Sequence, residues 1–206
     1  MKGLWVAGVL SVSSLYVGGI PAIAAEETPG HHHQGVPGNA LPSGDSLYQL
    51  PVTLETAEGT RIKLSDLQGP PLIVTMFYSH CTSVCPLLTT ELQRVVRALP
   101  ARERPKFRIL MVSFDSVRDT PQELAAFKEE HHIQDPNWVI ARASSGDVRL
   151  LAAALGIRYR ELEDHTFNHS AVISVTDRSG TVRARTSELT GISNSFLSVV
   201  RKQLVN

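Results

Sequence analysis

A near-continuous apolar run, Pro71-Leu72-Ile73-Val74-Thr75-Met76-Phe77-Tyr78, passes directly into Ser79-His80-Cys81-Thr82-Ser83-Val84-Cys85-Pro86. A stripe at helical spacing follows: Leu88, Leu92, Val95, Val96 and Leu99. An apolar run that does not alternate reads as a strand buried on both faces. Such strands sit in largely parallel sheets covered by helices, so this one junction narrows the fold to α/β. Pro86 can sit in the first turn of the helix that follows, where its missing N–H is not needed.

The rest of the chain repeats the alternation. Phe107 to Phe114 is a second apolar strand. Thr120-Pro121-Gln122-Glu123 has the pattern of a capping box and predicts a helix to about His131. Trp138 to Ala143 reads as a short strand, and Asp147 to Leu155 as a helix stopped by Gly156. His169 to Thr176 and Thr181 to Thr186 predict a hairpin across Asp177-Arg178-Ser179-Gly180. Ser193 can cap a last helix with Phe196, Leu197, Val200 and Leu204 on its inner face. Ahead of all this, Val52 to Leu64 alternates around Glu58-Gly59 as a hairpin. The order predicts an α/β, thioredoxin-like fold: a central mixed sheet flanked by helices, with an N-terminal β-hairpin extension. The cysteine loop then leaves the carboxyl end of a central strand, where open α/β sheets hold their ligands.

The chain of 206 residues divides into three expected parts. Lys2 precedes an uncharged stretch from Gly3 to Ala25 that ends Ala22-Ile23-Ala24-Ala25. Residues 1–25 are therefore expected to be a secretory signal cut after Ala24. The same stretch is long enough to be an uncleaved membrane anchor. Either way the remainder is expected to be exported, and periplasmic. Residues 26–46, with Pro29, Gly30, Gly35, Pro37, Gly38, Pro42 and Gly44, read as a flexible linker carrying His31, His32 and His33. Residues 47–206 form the folded domain, large enough to bury its own core. Formal net charge is +0, the basic residues are scattered, and no basic block marks a nucleic-acid surface.

Cys81 and Cys85 are the only two cysteines. In an exported protein a lone pair is most simply a structural disulfide. The C-x3-C spacing argues otherwise. A disulfide needs Cβ atoms about 3.5–4.5 Å apart, whereas i,i+4 residues on a regular helix are about 5–6 Å apart. A bridge here would distort the turn and be easily reduced. Two thiolates one helical turn apart, at the helix end that stabilises negative charge, instead suit a shared metal ion or a dithiol–disulfide cycle.

A divalent ion needs a further donor, and five histidines lie in the domain: His80, His131, His132, His165 and His169. In a thioredoxin-like sheet the strand starting at His169 runs antiparallel to the cysteine strand, so its start lies beside the cysteine turn. His169 is the expected third ligand. Thiolates suit Cu(I), and an added imidazole suits Cu(II). Asp115 and Asp119 are candidates to orient the site from behind; for Asp119, a charge at a helix N-terminus is at least as good a reading.

With these residues in place, the chain resembles the Sco/SenC family, thioredoxin-fold proteins linked to copper delivery to cytochrome oxidase. The resemblance covers about residues 45–205 and rests on three elements in order: Cys81, Cys85 and Pro86 after an apolar strand; Val112-Ser113-Phe114-Asp115 followed by Arg118-Asp119-Thr120-Pro121; and His169-Ser170. It implies copper, Cu(I) or Cu(II), on Cys81, Cys85 and His169. It also implies a metallochaperone for the dinuclear copper site of cytochrome c oxidase, with the copper-bearing subunit of the oxidase, other copper chaperones or thiol reductants as partners. Where the family often has Pro after its first cysteine, this chain has Thr82.

Two other readings use the same residues. Cys81 and Cys85 could be the redox pair of a thiol–disulfide oxidoreductase that keeps the oxidase's copper-site cysteines reduced. An ordinary thioredoxin, however, has C-x-x-C and a later proline opposite the pair, and no proline follows Pro136. Thr82-Ser83-Val84-Cys85 matches half of a peroxidatic T-x-x-C motif, but Tyr78 stands where the motif's upstream proline belongs. Structural zinc would take four protein ligands rather than three.

Overall fold

The computed structural model describes residues 46–205. The expected leader, and the linker up to residue 45, lie outside the described residues. No helix among the described residues is long and apolar enough to cross a membrane. In chain order the elements are β1 (Thr53–Thr56), β2 (Arg61–Lys63), β3 (Leu72–Phe77), α1 (Val84–Ala98), β4 (Arg108–Ser113), α2 (Pro121–Glu130), β5 (Trp138–Ala143), α3 (Ser145–Leu155), β6 (Tyr159–Glu161), β7 (Phe167–His169), β8 (Ile173–Thr176), β9 (Val182–Thr186) and α4 (Asn194–Val205).

Seven strands form one sheet in the order β2-β1-β5-β4-β3-β8-β9. β3, β4 and β5 are parallel, and β8 runs antiparallel to β3 through Ile73–Val175 and Val74–Ser174. All six residues of β3 are buried, as its unbroken apolar run requires. The N-terminal hairpin joins the sheet at β5, antiparallel to it. Helices α2 and α3 pack on β5, and α4 packs on β8 and β9. The Phe77 ring of β3 meets Phe127 of α2 at 4.6 Å. This is the mixed, helix-flanked, thioredoxin-like arrangement expected from the alternation of periods.

Helix boundaries follow their caps. Thr120 accepts the backbone N–H of Glu123, and Pro121 opens α2. Ser144 accepts the N–H of Asp147, so α3 starts at Ser145, two residues before the apolar pattern alone suggests. It ends on Gly156, whose φ of 70° is a left-handed value that glycine adopts without strain.

One expected element is corrected. The strand read as His169 to Thr176 is two strands. Residues 167–169 pair with β6 in a separate two-stranded ribbon, Tyr159 opposite His169 and Glu161 opposite Phe167. The main-sheet strand starts only at Ile173. Between them the Val172 carbonyl accepts the Thr75 hydroxyl at 2.7 Å and so leaves the regular ladder. A pattern of period two cannot show that successive residues change partner.

Candidate metal centre

The cysteine turn is built from a strand end and a helix start. After β3 the chain turns at Tyr78, whose carbonyl accepts the Cys81 N–H at 3.3 Å. Cys81 precedes α1 and only Cys85 lies within it, which refines the expectation of two sulfurs on one helical face. Ser83 occupies the N-cap position without a side-chain capping bond. The Cys81 sulfur takes that role and accepts the backbone N–H of Cys85 at 3.4 Å. Free N–H groups at a helix start favour an anion, and the acceptor here is a thiolate-forming sulfur. Both thiols are free and buried, with Cys85 fully so.

Asp119 holds this turn from beneath. Its carboxylate is fully buried and accepts the Ser79 N–H at 3.0 Å, the Ser79 hydroxyl and the Ser113 hydroxyl. Thr120 is the N-cap of α2, so Asp119 stands one residue before it at the helix start, and its carboxylate hydrogen bonds go to the cysteine turn and Ser113. Asp115, also buried, accepts the N–H groups of Val117 and Arg118 and pairs with the Arg118 guanidinium.

The histidine arrives from the other direction. The β6–β7 ribbon lies on aromatic rings: Tyr159 stacks on Phe114 at 4.8 Å, and Phe167 meets Tyr78 at 5.2 Å. The His169 ring meets Phe114 at 4.9 Å and Tyr78 edge-on at 6.0 Å. This directs Nε2 to 3.9 Å from the Cys85 sulfur. The donor atoms of Cys81, Cys85 and His169 all lie within 4.8 Å of one another, and no other such group of three occurs among the described residues.

The remaining histidines stay apart. His80 lies beside the turn, its Nδ1 near Ser79 and Asp119. His131 and His132 close α2 and line a cavity with Trp138 and Gln93. His165 pairs with Glu161 on the exposed ribbon. Sequence reasoning missed the aromatic support formed by Phe114, Tyr159, Phe167 and Tyr78. Its trace was the placing of Tyr159 between two arginines and of Phe167 between Thr166 and Asn168, an apolar–polar alternation that marks a short amphipathic ribbon.

The two thiols differ sharply. A hydrogen bond from the Cys85 thiol, then His169 and the N–H groups of Ser83 and Cys85, hold the Cys81 thiol far below the ordinary range. The Cys81 sulfur beside it, and then burial, push the Cys85 thiol up. These opposite shifts favour the thiolate at Cys81 over Cys85. One first-row metal ion with bonds of about 2.3 Å to sulfur and about 2.0 Å to nitrogen bridges donors up to about 4.3 Å apart. The Cys85–His169 separation of 3.9 Å falls within that span. Two soft sulfurs and one imidazole make a donor set that fits copper.

Solved structures share this fold. One is ScoI of Bradyrhizobium japonicum with copper bound, 22% identical, with a TM-score of 0.63, covering 74% of this chain and 97% of that one. Another is BsSco, described as a member of the Sco family of cytochrome c oxidase assembly proteins with a disulfide switch. It is 19% identical with a TM-score of 0.66, covering 78% of this chain and 96% of that one. Among curated relatives, a Stutzerimonas stutzeri protein named for copper binding is 25% identical over 121 residues, 57% of this chain and 58% of its own length. The chain thus spans little more than half of that relative. The SCO1/SenC family pattern matches residues 42–203, a stretch that contains the cysteine turn, the Asp115–Asp119 loop and the histidine ribbon, and the chain belongs to the SCO1/SenC family.

Proposed function

We propose that this protein is a copper carrier that binds copper through Cys81, Cys85 and His169 and delivers it to the dinuclear copper site of cytochrome c oxidase. One observation carries the reading: a histidine 84 residues away in the chain puts Nε2 3.9 Å from the Cys85 sulfur. Two sulfurs suit Cu(I), and the imidazole extends the set to Cu(II). Three protein donors leave coordination positions that a receiving protein's ligand can enter, and transfer needs such an opening. The family membership and the copper-bound relative support the same reading. The leader, by its small-residue cleavage pattern, supports work on the exported, periplasmic side.

The test is copper titration of the reduced protein and of single variants. His169→Ala should lose tight Cu(II) binding and keep much of its Cu(I) affinity, because the sulfurs remain. Cys81→Ser and Cys85→Ser should lose both. Unchanged Cu(II) affinity in His169→Ala would remove the third ligand from the proposal.

A second reading is favoured by the asymmetric thiols. A thiolate at Cys81 with a second thiol beside it is the starting state of a dithiol reductant. In that reaction Cys81 attacks a partner's disulfide, Cys85 resolves the mixed disulfide, and the partner leaves with two thiols while this pair becomes a disulfide. Reduction of the oxidised copper-site cysteines of the oxidase domain, without copper and lost in Cys81→Ser, would establish it.

A further inference from the structure

The donors come from two segments far apart in the chain, and a continuous series of hydrogen bonds joins those segments. It starts at Ser79, two residues before Cys81, whose N–H and hydroxyl both reach Asp119. Ser113 donates to the same carboxylate and accepts the Asp115 N–H at 2.9 Å. The Asp115 carboxylate accepts the Arg118 N–H at 2.9 Å and pairs with Arg118 Nε. The far arm of the guanidinium, Nη2, donates to the His165 carbonyl. His165 lies in the turn of the β6–β7 ribbon, four residues before His169. Among the described residues this is the sole side-chain hydrogen bond between the β4–α2 connection and the ribbon.

The ribbon needs such support. It has two strands of three residues each and pairs with no other strand. An isolated pair of that size is not stable in water. Its turn holds His165 at φ 61°, a left-handed value that costs a non-glycine residue about 1 kcal/mol or more. The aromatic contacts hold the ribbon's inner side. The Arg118 clamp holds its turn.

We propose that Arg118 is a positioning residue for the third donor. By tying the His165 carbonyl to Asp115 it keeps the ribbon down on Phe114 and Tyr78, and so it sets the site's preference for Cu(II) relative to Cu(I). With the clamp closed the imidazole stands at the sulfurs. With it open the site is a pair of sulfurs, which suits Cu(I) alone. The planar fork of arginine serves a carboxylate and a carbonyl at once, and the point charge of lysine does so poorly. The inference rests on the three-donor reading above, and its test separates the two.

The first measurement uses reduced, metal-free protein. Arg118→Ala should speed amide hydrogen exchange in Tyr159–Glu161 and Phe167–His169 by about tenfold or more, leaving β3 and β4 protected. The second is copper titration with electron paramagnetic resonance. Cu(II) affinity should fall about 10–100-fold, the usual cost of losing a group that orients a ligand. The nitrogen coupling to Cu(II) should weaken, and Cu(I) affinity should change less than about threefold by the same reasoning. Arg118→Lys should recover part of the Cu(II) affinity. Asp115→Asn should weaken Cu(II) binding, and adding it to Arg118→Ala should cost little more, because both act through one clamp. Should Arg118→Ala fail to fold, Arg118→Lys and Asp115→Asn carry the same comparison. Unchanged ribbon exchange, exchange raised uniformly through the sheet, or parallel loss of Cu(I) and Cu(II) affinity would each overturn the proposal. If His169→Ala leaves Cu(II) binding intact, the three-donor reading falls, and exchange in the metal-free protein still decides the clamp.

Discussion

The cysteine turn and the histidine ribbon meet at one site but are built on opposite terms. The turn continues a fully buried central strand into a helix, its sulfurs are buried, and a buried carboxylate fastens it from behind. The ribbon stands off the main sheet, its residues are half-buried or exposed, and it is held by ring contacts and one clamp. One half of the donor set is therefore part of the core, and the other can be moved for much less energy. For the copper carrier proposed above, such a division would let the sulfurs keep the metal in place while the third donor yields.

The sharpest contrast lies between the two thiols. At pH 6 an ordinary thiol is about 300-fold less ionised than at full deprotonation. Cys81, with its folded value held far below that range, should stay a thiolate as the pH falls. Its alkylation rate in reduced protein should be nearly flat from pH 8 to pH 5, while Cys85, pushed up and buried, stays slow. Mass spectrometry of iodoacetamide-treated protein measures this. A normal thiol profile at Cys81 would remove the asymmetry. His169→Ala should move the Cys81 profile toward higher pH, because it removes one of the groups that stabilise the thiolate.

Next comes the brace behind the turn. Asp119→Ala strips the acceptor from the Ser79 N–H and from the hydroxyls of Ser79 and Ser113. Losing hydrogen bonds to a buried charge should cost about 3 kcal/mol of stability, read from urea denaturation. Cu(I) and Cu(II) binding should weaken together, since the turn presents both sulfurs. If only Cu(II) binding weakened, Asp119 would belong functionally to the ribbon, and the division drawn above would fail.

The smallest effect belongs to the ribbon's support. Tyr159→Ala removes the ring stacked on Phe114 and should cost about 1–2 kcal/mol, the pair contact together with the ring's partial burial. Yet it should lower Cu(II) affinity with little change for Cu(I). Equal loss of both would mean that the ribbon is not the independent, yielding half.

Much of this was legible before any coordinates. The run from Leu72 to Phe77 announced a doubly buried strand because nothing in it alternates. Thr120-Pro121 and Gly156 marked helix ends through backbone requirements that are local. Cys81 and Cys85 marked the strand-to-helix turn as a candidate two-sulfur site, but regular helical spacing does not apply to the pair, because Cys81 precedes α1. The ribbon was not legible, because its three-residue strands carry too little pattern and because residues 167–176 change partners midway. The capping start of α3 at Ser144 was likewise hidden behind an apolar stripe that begins later.

What the amino-acid order determined alone is whatever depends on neighbours along the chain: the periods of strands and helices, their caps, and the two sulfurs at a strand-to-helix turn. What the tertiary structure decided is the approach of His169 to Cys85, the burial of Asp119 beneath Ser79, and the reach of Arg118 to the ribbon. Those contacts join residues 40, 47 and 84 positions apart. The distance between such residues is set by strand order and packing, and no local preference of the backbone encodes it.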